Sequence, residues 1–258
     1  MPEDKTDEEL LALIEAEGAA QEASATPPEA VQPAPSNAAP LFSLFKKLTG
    51  ADILCVFGDS GSGKSKLVSE LAFEEARNGR RVLFWDTEQG FSDGVVQKMK
   101  DAGIDYRRTS VLRDIYQSIR SWNANLVIID SSTLSVTGKW FSEQLDSRGR
   151  LLQELQFLYY TLKDWCHKAP DRMVAVVCQP VSVFGGRGLE ILGDKSNFFL
   201  KEAFYVDFEV ENFVVKKRVL RVFKSRTLPD GITVCALTTT STGMTFGELN
   251  PEAVRLVE

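Results

Sequence analysis

Several features are missing from this 258-residue sequence. No apolar run approaches the ~18 residues that a membrane-spanning helix needs, and the N-terminus lacks the basic-then-apolar order of a signal peptide. The four cysteines form no CxxC pair and only one histidine is present, a pattern that disfavours a zinc site and a disulfide framework. We therefore expect a cytoplasmic protein with no membrane partner and with buried, reduced thiols.

Charge is unevenly distributed along the chain. The formal net charge is −6, from 30 basic and 36 acidic residues. Residues 1–40 hold nine acids and one base, which leaves 27 acids and 29 bases for residues 41–258. The acidity thus belongs to the N-terminal segment, and the remainder is close to neutral at +2. The overall sign of the charge therefore does not exclude a nucleic-acid partner.

Composition divides the chain into two parts. Residues 1–40 combine a capping-box signal and a short apolar repeat with a stretch of Ala, Pro, Ser, Glu and Gln, which cannot bury enough apolar surface to offset chain entropy. We predict an acidic, mostly disordered tail whose short helix is either a partner-binding segment or a frayed terminus. Residues 41–258 are predicted to form one α/β domain.

Within residues 41–258, short apolar runs alternate with amphipathic stretches, as in βαβ units. The periodicity predicts buried strands at residues 53–57, 81–86, 126–130 and 173–178, and helices at residues 64–77, 92–100 and 141–167. After residue 200 the pattern changes to a period of two with hairpin-like breaks. The expected fold class is α/β, with a mostly parallel central sheet flanked by helices and antiparallel strands at the C-terminal end.

The strongest motif is GDSGSGKS at residues 58–65, which matches G-x-x-x-x-G-K-[ST] completely between a predicted strand and a predicted helix. The glycines let successive backbone N–H groups face phosphates, and the helix N-terminus adds its positive dipole end. Lys64 would reach the β- and γ-phosphates, and the Ser65 hydroxyl would ligate Mg²⁺. The predicted nucleotide-binding residues are Gly58, Asp59, Ser60, Gly61, Ser62, Gly63, Lys64, Ser65 and Lys66.

The nucleotide is expected to be ATP, bound with Mg²⁺, because the N-K-x-D motif of guanine recognition is missing. The P-loop alone leaves small-molecule kinases open. Asp130, at the end of a buried strand, is the candidate second magnesium ligand. Ser131 follows it where many ATPases have a glutamate, so a water-activating carboxylate must come from elsewhere. Glu88 would supply it if its strand neighbours that of Asp130, and Asp86 is the competing carboxylate.

These residues resemble the RecA/RadA recombinase ATPase core, especially the short archaeal RadB-like paralogues. The resemblance covers about residues 50–240 and implies a RecA-like P-loop NTPase fold with Mg-dependent ATP hydrolysis. Besides the P-loop, it depends on the runs ARNGRRV at 76–82, DTE at 86–88, LVIIDS at 126–131, VCQ at 177–179 and KSRTLPDG at 224–231.

By this resemblance, Glu88 is the catalytic glutamate, and Gln179 senses the γ-phosphate and couples it to the DNA-binding loop that follows. Lys224 and Arg226, two residues apart on a predicted strand, point to the same face. In related assemblies such a pair reaches the γ-phosphate bound by the neighbouring subunit. The predicted catalytic residues are Lys64, Glu88, Gln179, Lys224 and Arg226, and the predicted metal ligands are Ser65 and Asp130.

Two segments, about residues 133–150 and 181–197, match the positions where recombinase cores contact DNA. Bases beside aromatic side chains suit single-stranded DNA, because backbone charge and ring stacking both contribute. The predicted DNA-binding residues are Lys139, Trp140, Arg148, Arg187 and Lys195. A basic hairpin adds Lys216, Lys217, Arg218 and Arg221.

The leading hypothesis is an ATP-binding, slowly hydrolysing protein that acts in DNA recombination or repair. It would bind single-stranded DNA as an accessory to a recombinase, either as a homo-oligomer or with that recombinase as partner. The alternative is a KaiC-like regulatory ATPase whose nucleotide state switches protein partners without DNA binding.

Overall fold

The computed structural model describes residues 38–50, 52–132, 145–179, 200–211, 214–240 and 243–257. The prediction of a disordered tail therefore lies almost entirely outside the described residues. Helix α1 (Ala38–Thr49) begins at the end of the predicted linker, with Pro40 in its first turn, where the fixed φ of proline suits a helix. Leu41, Phe45 and Leu48 recur at helical spacing along its buried side.

Strands and helices then alternate along the chain, as the periodicity predicts. In order they are β1 (Ile53–Phe57), α2 (Lys64–Arg77), β2 (Val82–Asp86), α3 (Asp93–Asp101), β3 (Asp105–Arg108), α4 (Leu112–Ser118), a 3₁₀ turn (Ile119–Ser121), β4 (Leu126–Asp130), α5 (Leu145–His167), β5 (Met173–Cys178), β6 (Glu202–Glu211), β7 (Val214–Lys224), β8 (Thr233–Thr239), β9 (Met244–Phe246) and α6 (Pro251–Val257).

The strands of the described residues form one nine-stranded sheet in the order β3-β2-β4-β5-β1-β6-β7-β8-β9. The pairs from β3 to β6 in this order are parallel, and the pairs from β6 to β9 are antiparallel. The predicted mostly parallel sheet with antiparallel C-terminal strands is confirmed. Strand β6 joins the two parts, because it is parallel to β1 and antiparallel to β7.

Helices cover both faces of the parallel strands. On β1, Leu54 and Val56 pack into one hydrophobic cluster with α1 and α2. The alternate residues Ile53 and Cys55 pack into a second cluster with α4 and α5 on the other face. A strand buried on both faces is apolar at every position, which is why β1, β4 and β5 are recognisable as continuous apolar runs.

The parallel strands bring four predicted site segments to one edge of the sheet. The P-loop follows β1, Glu88 follows β2, Asp130 ends β4 and Gln179 follows β5. The carboxyl ends of parallel strands lie at the same edge, where ligands bind in open α/β sheets.

All four cysteines are free and buried, which confirms their prediction as buried thiols. The sulfurs of Cys55 and Cys178, on neighbouring strands, lie 3.6 Å apart. Among the described residues, no helix combines the length and apolar character that crossing a membrane requires.

Candidate functional site

The P-loop turns sharply between β1 and α2. Gly61 and Gly63 have φ angles of 76° and 105°, in a region that residues with a Cβ rarely adopt. A Cβ added at Gly63 would lie 2.8 Å from Cε of Met244, and one at Gly58 would lie 2.6 Å from the carbonyl oxygen of Val206. The loop therefore needs glycine at residues 61 and 63 for its backbone conformation and at residue 58 for the close approach of the β6 backbone.

Lys64 is the first residue of α2 and is only 7% exposed. Its Nζ donates a hydrogen bond to the carbonyl oxygen of Asp59 at 2.9 Å, across the mouth of the loop. Burial lowers the pKa of the Lys64 ammonium from its ordinary value, while the nearby carboxylates of Asp130 and Glu88 oppose that shift. The side chain is thus a buried, positioned ammonium suited to an anionic ligand.

Asp130 lies beside this ammonium and is 2% exposed. Burial raises the pKa of Asp130 to about 7, a hydrogen bond from the Ser65 hydroxyl opposes the shift, and the negative charge of Glu88 adds to it. Among the described residues, Oδ1 of Asp130 has no hydrogen-bond partner. A buried carboxylate oxygen without a partner beside a hydroxyl is a donor set that suits Mg²⁺, which binds proteins through one or two oxygen ligands together with substrate phosphates.

Glu88 and Gln179 meet at the same edge of the sheet. Nε2 of Gln179 donates a hydrogen bond to Oε1 of Glu88 at 3.3 Å. The turn that carries Glu88 is held to β4, because the backbone N–H of Thr87 donates to the carbonyl oxygen of Asp130 at 2.8 Å. Glu88 was predicted to be the water-activating carboxylate if its strand, β2, neighbours β4. The two strands are neighbours, because β2 pairs with β4 in parallel and Asp86 lies opposite Asp130.

Asp86, the competing carboxylate, has other partners. It is 1% exposed, and its Oδ2 accepts a hydrogen bond from the hydroxyl of Tyr106 on β3. Its Oδ1 accepts from the N–H of Gly90 at 3.4 Å, and Nε of Arg108 lies 3.8 Å from Oδ2. These contacts direct Asp86 toward β3, so Glu88 is the carboxylate that remains available for a ligand.

One cavity of about 290 Å³ unites these side chains. Its lining residues are Ser60, Gly61, Gly63, Lys64, Ser65, Lys66, Glu88, Asp130, Gln179, Arg218 and Thr239. The last two were not predicted as part of this site. A larger cavity, of about 450 Å³, lies between α1 and α6 and contains none of the predicted site residues.

Comparisons with solved structures agree with the fold described above. No protein-family model matches the chain. Over 206 residues, 73% of this chain and 86% of the relative, the sequence is 27% identical to the DNA repair and recombination protein RadB of Methanococcoides burtonii. The crystal structure of the RadB recombinase matches with a TM-score of 0.60 and 21% identity, over 81% of this chain and 96% of that chain. The chain has a RecA-like core that resembles RadB.

A second solved structure shares this RecA-like fold. The KaiC-like protein of the hyperthermophilic archaeon Pyrococcus horikoshii matches with a TM-score of 0.56 and 16% identity, over 79% of this chain and 95% of that chain. At these identities the two solved structures show the fold alone, and the chemistry has to be argued from the residues of the site.

Lys224 and Arg226 lie away from the cavity of the RecA-like core. Strand β7 ends at Lys224, so the period-two argument that placed both side chains on one face does not extend to Arg226. Lys224 pairs with Ala203, which pairs in turn with Cys55 in the middle of β1. Arg218, which lines the cavity, lies six residues earlier on β7, or about 20 Å at the usual rise of about 3.3 Å per residue.

Arg226 is held by Glu202, which the sequence analysis did not single out. Glu202 is fully buried, and its Oε1 accepts a hydrogen bond from the backbone N–H of Arg226 at 3.3 Å and lies 3.5 Å from Nε of the same residue. Close by in sequence, Nζ of Lys201 lies 3.2 Å from Oδ2 of buried Asp52. An isolated glutamate at the start of a strand carries no motif, so only the β6–β7 pairing reveals this contact.

Most of the predicted DNA-binding residues lie outside the described residues, namely Lys139, Trp140, Arg187 and Lys195. Arg148 belongs to α5, which begins at Leu145. The helix predicted at residues 141–167 is confirmed from Leu145 onward, so the DNA-contact segment predicted at about residues 133–150 is helical, and not a loop, over residues 145–150. The helix that packs Leu155 and Leu158 into the core continues back to Leu145.

The predicted basic hairpin is also corrected. Lys217 is exposed, but Arg218 belongs to the nucleotide-site cavity, and Nε of Arg221 lies 3.3 Å from Oδ2 of Asp207. Two of the four bases therefore have partners within the RecA-like core.

Proposed function

We propose that this protein binds and slowly hydrolyses ATP with Mg²⁺ and acts in DNA recombination or repair. The observation that carries the ATPase assignment is the contact between Gln179 and Glu88 in the cavity that also contains Lys64, Ser65 and Asp130. A phosphate cradle, a pair of magnesium ligands and a carboxylate for water activation are the parts that phosphoryl transfer to water requires.

The proposed mechanism assigns one task to each side chain. The P-loop N–H groups and Lys64 bind the β- and γ-phosphates. Ser65 and Asp130 would hold Mg²⁺, which when bound neutralises charge on the phosphate oxygens. Glu88 orients the attacking water and accepts its proton. Gln179, hydrogen-bonded to Glu88, would register the presence of the γ-phosphate through that contact.

The proposal of slow hydrolysis is supported by the location of Lys224 and Arg226, which do not line the cavity. A cation that stabilises the transition-state charge on the γ-phosphate accelerates hydrolysis by about 10³–10⁵. Neither residue is among those that line the cavity of their own chain, and Lys224 lies six residues along β7 from Arg218, which does line it. We propose that they act on a neighbouring subunit's nucleotide, so that fast hydrolysis requires an assembly.

The assembly has a direct test. With a non-hydrolysable ATP analogue, light scattering should show at least a doubling of the mass measured without nucleotide. Arg226→Ala should lower the ATPase rate of the assembly at least about 100-fold and leave the affinity for ATP within about twofold, because the side chain lies outside its own site. Lys98→Ala, an exposed lysine on α3, is the matched control. A strict monomer with and without the analogue would exclude the role in a neighbouring site.

The DNA role is supported by the similarity to RadB of Methanococcoides burtonii, a DNA repair and recombination protein. We propose that residues 133–150 and 181–197 bind single-stranded DNA and that the protein assists a recombinase. The second segment begins two residues after Gln179, so nucleotide and DNA sites are joined directly in sequence.

Single-strand binding should depend on both salt and aromatic stacking. Trp140→Ala should weaken binding of a poly-dT oligonucleotide about 10-fold at constant salt slope, because base stacking contributes about 1–3 kcal/mol. Lys139→Ala should reduce the slope of log affinity against log salt by about 0.7, the value for one phosphate contact on a single strand. Fluorescence anisotropy with and without ATP measures both quantities.

The control for these variants is Lys168→Ala. Lys168 is exposed, follows the C-terminal end of the 23-residue helix α5 and pairs with Asp164 in its last turn. Its loss should therefore alter neither the affinity for the oligonucleotide nor the salt slope. Absence of wild-type binding at low salt, with and without ATP, would exclude the DNA role.

A second function is favoured by the match to the KaiC-like structure. In that case the protein would be a regulatory ATPase whose nucleotide state switches protein partners, and the same nucleotide site would serve it. ATP hydrolysis without any single-strand binding at low salt is the result that this alternative predicts.

A further inference from the structure

The order of the strands determines which way a nucleotide would lie in the cavity. Glu88, Asp130 and Gln179 follow or end β2, β4 and β5, which all lie on one side of β1. The γ-phosphate and Mg²⁺ would belong on that side, since Asp130 is the residue there that would hold the metal and Glu88 the one that would activate the attacking water. The α-phosphate and the nucleoside must then extend toward the other side of β1, where β6 to β9 lie.

Arg218 lies on that other side. It belongs to β7, and its Nε donates a hydrogen bond to the carbonyl oxygen of Ser62, within the P-loop, at 3.1 Å. Its Nη1 donates to Oγ1 of Thr239 at 2.8 Å. These two contacts orient the guanidinium along the wall of the cavity, where Arg218 and Thr239 are both lining residues.

The β8–β9 hairpin keeps Arg218 in this place. Met244 packs against Gly63, where an added Cβ would be 2.8 Å from Cε of Met244, and the backbone N–H of Met244 donates to Oε1 of Glu70 on α2 at 3.3 Å. Nζ of Lys66 donates to the carbonyl oxygen of Thr240 at 3.0 Å. The wall that carries Thr239 is thus held against the P-loop at Gly63 and against α2 at Lys66 and Glu70.

The guanidinium retains capacity for a ligand. It offers five N–H donors in a fixed planar fork, and the contacts with Ser62 and Thr239 use one donor each. An arginine positioned in this way is suited to phosphate oxygens, which it binds with charge-assisted hydrogen bonds.

We propose that Arg218, oriented by Ser62 and Thr239, binds the α-phosphate end of the nucleotide and so contributes to the affinity for di- and triphosphates alike. The inference rests on the proposed ATP binding and deepens it. Arg218 is a binding residue of the chain's own site, in contrast to Lys224 and Arg226. Its presence in the cavity also explains why an arginine of the predicted basic hairpin is withdrawn from the surface.

The test compares ADP with ATP. Arg218→Ala should weaken binding of both nucleotides by the same factor, at least about 10-fold, which is the loss expected for a hydrogen bond to a charged group. Arg218→Lys keeps the charge without the fork and should weaken both by a smaller factor. Arg107→Ala, an arginine paired with Asp105 on the edge strand β3, removes the same charge far from the cavity and should change neither affinity. Isothermal titration calorimetry measures all of these values.

Thermal unfolding distinguishes a structural role of Arg218 from a role in nucleotide binding. The Tm without nucleotide should stay within about 2 °C of the wild type, whereas the increase in Tm produced by saturating ADP in the wild type should be largely lost at the same ADP concentration. Loss of ATP affinity alone would assign Arg218 to the γ-phosphate and overturn the proposal, and so would unchanged affinity for both nucleotides. A large fall in the Tm without nucleotide, with affinities unaffected in Arg218→Lys, would show a structural role instead. A wild type that binds neither nucleotide would overturn the proposed function itself.

Discussion

Lys64→Ala should abolish nucleotide binding. The ammonium is buried at the mouth of the P-loop and is held by the Asp59 carbonyl oxygen at 2.9 Å, so its charge-assisted hydrogen bonds to phosphate oxygens are pre-positioned. At about 1.5–3 kcal/mol for each bond to a charged group, the loss of two such bonds weakens affinity at least about 100-fold. Titration with a fluorescent ATP analogue gives the dissociation constant.

The alanine variant should remain folded, because no carboxylate forms a buried ion pair with Lys64 in the described residues. Lys98→Ala controls for the loss of one positive charge. An affinity of Lys64→Ala within about threefold of the wild type would mean that the cavity is not the nucleotide site.

Glu88→Gln should retain ATP and lose its hydrolysis. The amide keeps the size of the side chain and a contact with Gln179, whereas it cannot accept the proton of the attacking water. General-base catalysis contributes roughly 10²–10⁴-fold, so the rate of phosphate release should fall by about that factor while the dissociation constant of ATP changes by less than about threefold. Steady-state phosphate release and equilibrium titration measure the two quantities.

The informative control is Asp86→Asn, because Asp86 ends the strand β2 that Glu88 follows. Its hydrogen bonds with Tyr106 and Gly90 lie on the side of β3, so this variant should lower the Tm and leave the hydrolysis rate per folded molecule nearly unchanged. If Glu88→Gln hydrolysed ATP at the normal rate and Asp86→Asn lost about a hundredfold in rate, Asp86 rather than Glu88 would be the water-activating carboxylate.

The parallel half of the fold was predictable from the sequence for a physical reason. Strands β1, β4 and β5 are covered on both faces, so every position is apolar and the runs are unmistakable. Strand β3 was not predicted, because its sequence DYRR contains no apolar run and lies at the sheet edge. Its contribution to the core comes from Tyr106, which stacks on Phe84 with ring centroids 6.0 Å apart.

Helix α1 was missed for a different reason. Its sequence follows a proline-rich stretch, and Pro40 itself suggests the end of a linker rather than the start of a helix. What stabilises α1 is packing: Phe42 meets Phe246 of β9 at 5.6 Å between ring centroids, and Phe45 meets Phe204 of β6 at 4.9 Å. Both partners are about 160 residues or more away in sequence, beyond the reach of local periodicity.

The residues of the candidate site also differ in whether the sequence alone could predict them. Lys64 and Ser65 belong to a motif with fixed local spacing and Asp130 ends a continuous apolar run, so the sequence was sufficient to propose them as site residues. The positions of Arg218 and Glu202 relative to the site depend on the pairing register of β6, β7 and β8. Period-two alternation indicates the face of a strand on which a side chain lies, but it does not indicate which end of the sheet that residue reaches.

In sequence, residues 180–199 connect two residues that contact side chains with different proposed roles. The residue before them, Gln179, is hydrogen-bonded to Glu88 in the chain's own nucleotide cavity. Glu202, three residues after them, holds Arg226, the side chain proposed to serve the neighbour's nucleotide. The proposed binding of single-stranded DNA by residues 181–197 and the proposed action of Arg226 on a neighbouring subunit would therefore be linked in sequence, so that one shared strand of nucleic acid would couple the timing of hydrolysis in adjacent subunits.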